Sequence, residues 1–237
     1  MNSLKPFIQT GLEFVYPNLC FHCENKISSS QKFLCFECWN KIKKYQIETD
    51  INHVLESRLK GKLNIQTADT LFWFQSASPL QTLLHELKYN YQPNIGVYLG
   101  EFIGDLFLNK NDSIPEFTAV LPVPIHYLKR IERGYNQTEK IAEGIIIKIP
   151  TLKLLKDSVE KIIATESQTK KGRFDRWKNL TEGFSLNLKN FELKNHSHIL
   201  IIDDIITTGA TIEALSKVIL KKYPEMKISI TTVALAE

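Results

Sequence analysis

The sequence predicts an α/β protein: a parallel sheet behind a small, zinc-ribbon-like module of four cysteines at the amino-terminal end. Three observations carry this. From residue 117 onward, apolar runs of strand length alternate with helix-period segments, and that order implies parallel strands joined by right-handed crossovers. All four cysteines fall in one stretch, LCFHCENKISSSQKFLCFECW. One apolar run, HILII, ends in two aspartates, and a Thr-Thr-Gly loop then opens a second helix-period segment.

Bulk properties set the frame. A chain of 237 residues with 43% hydrophobic content can bury one large core and carry a small attachment. A net charge of +4 does not suit wholesale coating of nucleic acid but leaves room for a local basic patch. The first twenty residues carry Lys5 and Glu13 and are broken by Pro6 and Pro17, so they lack a signal-peptide core. Apolar runs such as 145–147 and 199–202 are too short to span a bilayer. The expectation is a cytoplasmic protein without membrane insertion.

Along the chain, Leu4, Phe7, Ile8, Leu12 and Val15 predict a helix over 4–16, which Pro17 ends. The cysteine segment follows, to about Trp39. Residues 40–60 are polar and read as a short helix or linker. Residues 63–75 mix β-branched and aromatic side chains and predict a strand or hairpin. Ser78-Pro79 starts a helix with Leu80, Leu83, Leu84 and Leu87 on one face. A second helix runs from about Asn94, with Ile95, Leu99, Phe102, Ile103, Leu106 and Phe107 at spacings of three and four. Beyond these, 117–123 reads as a buried strand, 134–148 as a helix, 152–155 as a short strand and 165–180 as a loop. A strand over 198–202, a helix over 210–222 and a strand over 227–235 close the chain.

Cys20-x2-Cys23 and Cys35-x2-Cys38, with eleven residues between the pairs, have the spacing of two knuckles around one tetrahedral Zn2+. So small a segment has little core, and a metal contribution of about 10–16 kcal/mol would hold it folded. Four thiolates leave no open coordination position, so the role is structural. Two disulfides or unpaired thiols are the competing reading, which a reducing cytoplasm disfavours. His22, between two ligands, reads as a bystander. Lys26, Lys32, Lys41, Lys43 and Lys44 surround the cluster, as a nucleic-acid contact or as a solvated basic face.

The run LIIDDIITTGATI places Asp203 and Asp204 at the carboxyl edge of the expected sheet, where ligands of open α/β sheets bind. The next helix starts near Ala210. Its unpaired N–H groups and dipole favour an anion there. The dipole alone gives about 0.3–1 kcal/mol at an exposed site, so N–H hydrogen bonds must do most of the binding. Gly209 lets the backbone approach closely, and Thr207, Thr208 and Thr211 add hydroxyls. The carboxylates would repel a phosphate but would accept from sugar hydroxyls attached to it, or bind Mg2+. A phosphate pocket and a diol pocket one pentose apart describe a ribose 5-phosphate. The alternative is an acidic turn followed by an ordinary helix start. Neither GxxxxGK[ST] nor GxGxxG is present.

This run resembles the phosphoribosyl pyrophosphate (PRPP) motif of type I phosphoribosyltransferases. Three more stretches extend the likeness: LLHELKYNYQPNIGVYLG (83–100), LPVPIHYLKRIERGYNQTEKIA (121–142) and SQTKKGRFDRWKNLTEGF (167–184). With the cysteine pairs they make the chain similar, over nearly its whole length, to the ComF family. The family's RG[FY]NQ element matches Arg133, Gly134, Tyr135, Asn136 and Gln137. Its Q…R..N….F element matches Gln168, Arg176, Asn179 and Phe184. A glycine usually follows the family's LKY element. Here LKYNYQ has Tyr91, which leaves open where Lys88 and Tyr89 point.

The resemblance implies a type I phosphoribosyltransferase fold behind a zinc module. Its expected organisation is 1–60 for the module and linker and 61–237 for the transferase-like domain, with a hood over about 61–112 and a core over about 113–237. Asp203 and Asp204 are then expected to hold the ribose and Mg2+, and Thr207, Thr208, Gly209, Ala210 and Thr211 the 5-phosphate. Lys129, Arg130 and Arg133 are the pyrophosphate candidates, set against an ordinary basic surface. Arg173, Phe174, Arg176, Trp177 and Lys178 interleave basic and aromatic groups. They suit DNA contact, a lid over PRPP, or the core face of a helix.

The family's biology implies natural transformation, with PRPP, single-stranded DNA and a competence helicase as expected partners. The alternative is an active phosphoribosyltransferase with a nitrogen acceptor such as a nucleobase. For that chemistry no general acid or base stands out, and His85 and His126 are weak candidates.

Overall fold

The computed structural model describes residues 17–44, 51–109, 117–162, 183–187, 193–194 and 196–236. The expected helix over 4–16 and loop over 165–180 lie outside the described residues, with Arg173, Phe174, Arg176, Trp177 and Lys178. Helices α1 (Phe36–Lys44) and α2 (Ile51–Leu59) precede strand β1 (Ala68–Phe74). Helices α3 (Pro79–Tyr89) and α4 (Pro93–Asn109) lead to β2 (Ala119–Pro122). Then come α5 (Tyr127–Arg133), α6 (Gln137–Lys148), β3 (Lys153–Leu154), β4 (Val159–Lys161) and β5 (Phe184–Leu186). The chain ends with β6 (His198–Ile206), α7 (Ala210–Lys222) and β7 (Lys227–Ala236).

Five strands form one sheet in the order β1-β7-β6-β2-β3, and every neighbouring pair is parallel. The expected α/β class and parallel sheet are what the molecule shows. Both faces of the sheet are covered, so its central strands are buried along most of their length, with Ser229, Thr231 and Thr232 as buried polar residues of β7. Alternate residues serve opposite layers. Val120, Leu200 and Ile202 pack with α3, α4, α6 and the cysteine module. Ala119, Leu121, Ile199 and Ile201 pack with α2 and α7.

Several boundaries differ from the sequence reading. Segment 63–75 is one strand and no hairpin, and it forms an edge of the main sheet. The helix expected over 134–148 starts at Gln137, because Gly134 ends α5 in a left-handed conformation and Asn136 caps α6. The strand expected over 198–202 runs on to Ile206, because β7 keeps pairing with it as far as Ile206 opposite Leu235. Strand β2 pairs with β6 only up to Pro122 opposite Ile202. The last four residues of β6 therefore have an open flank, and the cleft described below lies along it.

Helices α4 and α6 touch backbone to backbone. A Cβ added at Gly100 would lie 2.0 Å from the Ile141 carbonyl oxygen, and one at Gly144 would lie 2.0 Å from that of Val97. The cysteine module is clamped to this layer by aromatic contacts. Trp39 lies 5.1 Å from Phe102 and 6.0 Å from Phe72, and Phe33 lies 5.5 Å from Tyr98, centroid to centroid. Helix α2 packs on the opposite face of the sheet, burying Ile51, Leu55 and Leu59. Its Asn52 Oδ1 accepts from the Thr70 N–H of β1 at 2.9 Å. No helix among the described residues is long and apolar enough to cross a membrane.

Candidate functional site

The four cysteines converge. Their sulfur atoms all lie within 4.8 Å of one another, and Cys20, Cys35 and Cys38 are buried while Cys23 is exposed. Cys23 Sγ and Cys35 Sγ stand 3.6 Å apart. A tetrahedral ion with bonds of about 2.3 Å needs edges of about 3.8 Å, whereas a disulfide brings sulfurs to about 2.05 Å. The arrangement fits one metal ion. The knuckle geometry comes from the backbone: Glu24 N–H donates to Cys20 C=O at 2.9 Å, with Glu24 left-handed at φ 60. Burial pushes the Cys20 thiol up, but N–H groups of Cys23, Cys35 and His22 outweigh it and bring it down to about 6. Metal binding takes thiolates, so such donors favour it. His22 is not among the ligands, and its Nδ1 lies 2.9 Å from Thr82 Oγ1 on α3.

The second constellation sits at the carboxyl ends of β2 and β6. A cleft of about 190 Å3 brings Asp203, Asp204 and Thr211 together with Lys88, Lys129, Arg133 and Lys161. These residues come from five separate segments of the chain. Asp204 pairs with Lys88, Nζ to Oδ2 2.5 Å. Burial works against the Asp204 charge, but the Lys88 ammonium holds the carboxyl below its ordinary value. Asp203 goes the other way. Burial, with the Asp204 charge beside it, pushes it well above its ordinary value. Burial also pulls the Lys161 amine down, with Asp203 opposing and Lys129 adding to the fall.

Behind the acids, Gly209 stands at φ 78 and caps α7. It has no side chain to offer the helix, so the first-turn N–H groups stay available apart from a long contact from Ala210 N–H to Thr208 Oγ1 at 3.4 Å. Thr207 and Thr208 are exposed, while Thr211 lines the cleft.

The RGYNQ element turns out to fasten the cleft wall. Asn136 Nδ2 and Thr138 Oγ1 both donate to Val123 C=O, at 3.1 and 2.7 Å. The Tyr135 hydroxyl donates to Leu87 C=O. Arg133 is buried, donates to Gln137 Oε1 at 2.9 Å and lies 5.1 Å from the Tyr89 ring centroid. Tyr91 follows the LKY element at the position where the resemblance implies glycine. It takes a left-handed φ of 53, its ring packs on Gly134 and its hydroxyl donates to Glu132 C=O at 3.0 Å. Lys88 thereby points at Asp204 and Tyr89 at Arg133.

Of the three pyrophosphate candidates, Lys129 and Arg133 face this cleft and Arg130 does not. Arg130 lines an adjoining cleft of about 440 Å3 and pairs with Asp157 at 2.6 Å and Glu139 at 3.5 Å. The two clefts share Pro124, Ile125, His126 and Lys161. His126 caps α5, whereas His85 is exposed beside Tyr89 and away from either cleft. Lys88 was named only within the LKY element, and Lys161 carried no local signal at all. Only the pairing of β4 with β5 and the bridge from Lys161 to His126 bring it to the acids.

No protein-family model matches the chain. It is similar to competence protein F of Haemophilus influenzae, 30% identical over 152 residues, which are 60% of this chain and 62% of that protein. It is similar to DNA utilization protein YhgH of Salmonella typhi, 26% identical over 147 residues, 60% of this chain and 62% of the relative. Similarity to competence protein ComFC of Bacillus subtilis is lower at 22% but longer, over 214 residues, 89% of this chain and 81% of the relative. The first two matches thus span less than two thirds of those relatives' lengths.

Proposed function

We propose that this chain, whose named relatives support the ComF family, is a cytoplasmic PRPP-binding protein that acts in natural transformation and contacts single-stranded DNA. The observation that supports this best is the meeting, in one cleft, of paired carboxylates, Thr211 from the first turn of α7 and four cations. Asp203 and Asp204 would accept from the ribose hydroxyls and hold Mg2+. Backbone and hydroxyl donors of Thr207, Thr208, Gly209, Ala210 and Thr211 would take the 5-phosphate. Lys129 and Arg133, with Lys88 and Lys161, would neutralise the pyrophosphate. Cys20, Cys23, Cys35 and Cys38 would hold one structural Zn2+, whose contribution is to tie the two knuckles together.

For DNA, Lys26, Lys32 and Lys41 are exposed on the cysteine module. The basic-aromatic run holding Arg173, Arg176, Trp177 and Lys178 would add stacking and phosphate contacts without sequence preference. A competence helicase is the candidate protein partner. Calorimetry with PRPP and Mg2+ tests the ligand, with Asp204→Ala as control. Binding by the wild type and loss in the variant is expected. No binding, or equal binding by both, overturns the reading. Single-stranded DNA binding should weaken with salt and with Arg176→Ala.

A second reading, phosphoribosyl transfer to a nitrogen acceptor, is favoured by the adjoining cleft, which has room for a planar base and shares a wall with the first. Pyrophosphate release in the presence of each nucleobase tests it, and turnover with none of them removes it.

A further inference from the structure

The Thr207–Gly209 loop is held from behind by two cations of the segment that the sequence presents as a linker. Arg58, in the last turn of α2, donates from Nη1 to Thr207 C=O at 2.5 Å and to Ala236 C=O at 2.5 Å. Lys62 Nζ donates to Thr208 C=O at 3.0 Å. The chain brings both to one place because α2 ends at a turn through Gly61, φ 82, where Lys62 N–H returns to Leu59 C=O at 3.1 Å. Leu59 itself fills the space under Gly209, so close that a Cβ there would meet its Cδ2 at 2.6 Å.

The consequence follows from peptide geometry. In a trans peptide the C=O and N–H of one plane point in opposite directions. Thr207 C=O shares its plane with Thr208 N–H, and Thr208 C=O shares its plane with Gly209 N–H. Two oxygens drawn back towards α2 turn two N–H groups to the other face. We infer that Arg58 and Lys62 are positioning residues that preorganise the loop as a nest for a phosphate monoester, ahead of any ligand. Donors fixed in advance cost no ordering when the anion arrives. This rests on the reading of the loop as the 5-phosphate site. It goes beyond that reading by giving residues 58–62 a role in ligand affinity.

The test is titration of the full chain with inorganic phosphate and with PRPP plus Mg2+, for wild type, Arg58→Met, Arg58→Lys, Lys62→Met and the double methionine variant. Loss of about tenfold in affinity is expected for each single methionine variant, more for the double, with partial retention in Arg58→Lys. In amide-resolved spectra, the Thr208 and Gly209 N–H signals should move on phosphate addition in wild type and not in the double variant. Because Arg58 also ties the final strand, Lys62→Met, which breaks one exposed contact, serves as the variant certain to test the loop alone. If wild type binds and Lys62→Met and Arg58→Met bind equally well, this inference falls and the site reading stands. If wild type binds neither ligand, both fall.

Discussion

The cysteine cluster and the charged cleft are built in opposite ways. The cluster draws its four sulfurs from 19 consecutive residues, 20–38, and needs little more than two local turns to bring them together. The cleft draws its charges from α3, the β2–α5 connection and α5, β4, and the end of β6. Nothing local brings Lys88 to Asp204. The sheet order and the docking of the RGYNQ element on the end of α3 do that. A site local in sequence survives as a motif and, if it holds an ion, would depend on it. A site assembled across the fold depends on the whole core, and its charges shift one another.

The largest test of that contrast is metal removal. Chelation, or Cys35→Ser, should release one ion per chain and unfold the module, forfeiting apparent binding free energy on the order of 10–16 kcal/mol. Metal analysis and Trp39 fluorescence would register it. Cleft affinity for PRPP should fall far less, and an equal loss would mean that the two regions are one cooperative unit.

Next in size is Lys88→Met, which leaves Asp204 buried without its partner and should cost about 3 kcal/mol at neutral pH. The sign with pH follows from the lowered Asp204 value. In the wild type the stabilisation is present above the unfolded carboxyl value of 3.8 and is lost as pH falls through the folded one. In the variant the Lys88 charge no longer offsets burial, and only the Asp203 side chain and the Ile205 N–H still favour the ionised carboxyl. Urea unfolding curves of the two proteins should therefore differ most near neutrality and converge in acid. A difference independent of pH would remove the ion pair as its cause.

Smaller still is His22→Ala. It breaks the contact to Thr82, should cost about 1 kcal/mol in thermal unfolding, and should leave metal stoichiometry unchanged. The smallest effect is expected from Arg130→Ala, whose partners Asp157 and Glu139 lie in the adjoining cleft. PRPP affinity should stay within about twofold, as for a surface change away from a site. A tenfold loss would place the pyrophosphate in the adjoining cleft, beside Arg130, rather than beside Lys129 and Arg133.

Legibility in the sequence follows the same division. The cysteine spacing sufficed for the cluster because knuckles are made by neighbours. The parallel sheet was legible because strands buried on both faces carry unbroken apolar runs. Asp203 and Asp204 were legible because they interrupt such a run. Lys161 and Arg58 were not, since each sits in an ordinary polar context and acquires its place only from strand order and helix docking. Arg130 shows the converse. It lies in the same basic stretch as Lys129 and Arg133, yet one turn of α5 points it at other carboxylates.

Strand β1 stands at the rim of the sheet, and Asn52 of α2 already occupies the Thr70 N–H on that rim. A rim with unpaired peptide groups is a template on which another chain's strand can add. Helix α2 thus bears on solubility. A shortened chain beginning after residue 59 would keep every strand of the sheet and expose this edge, and it should precipitate where the full chain stays dispersed.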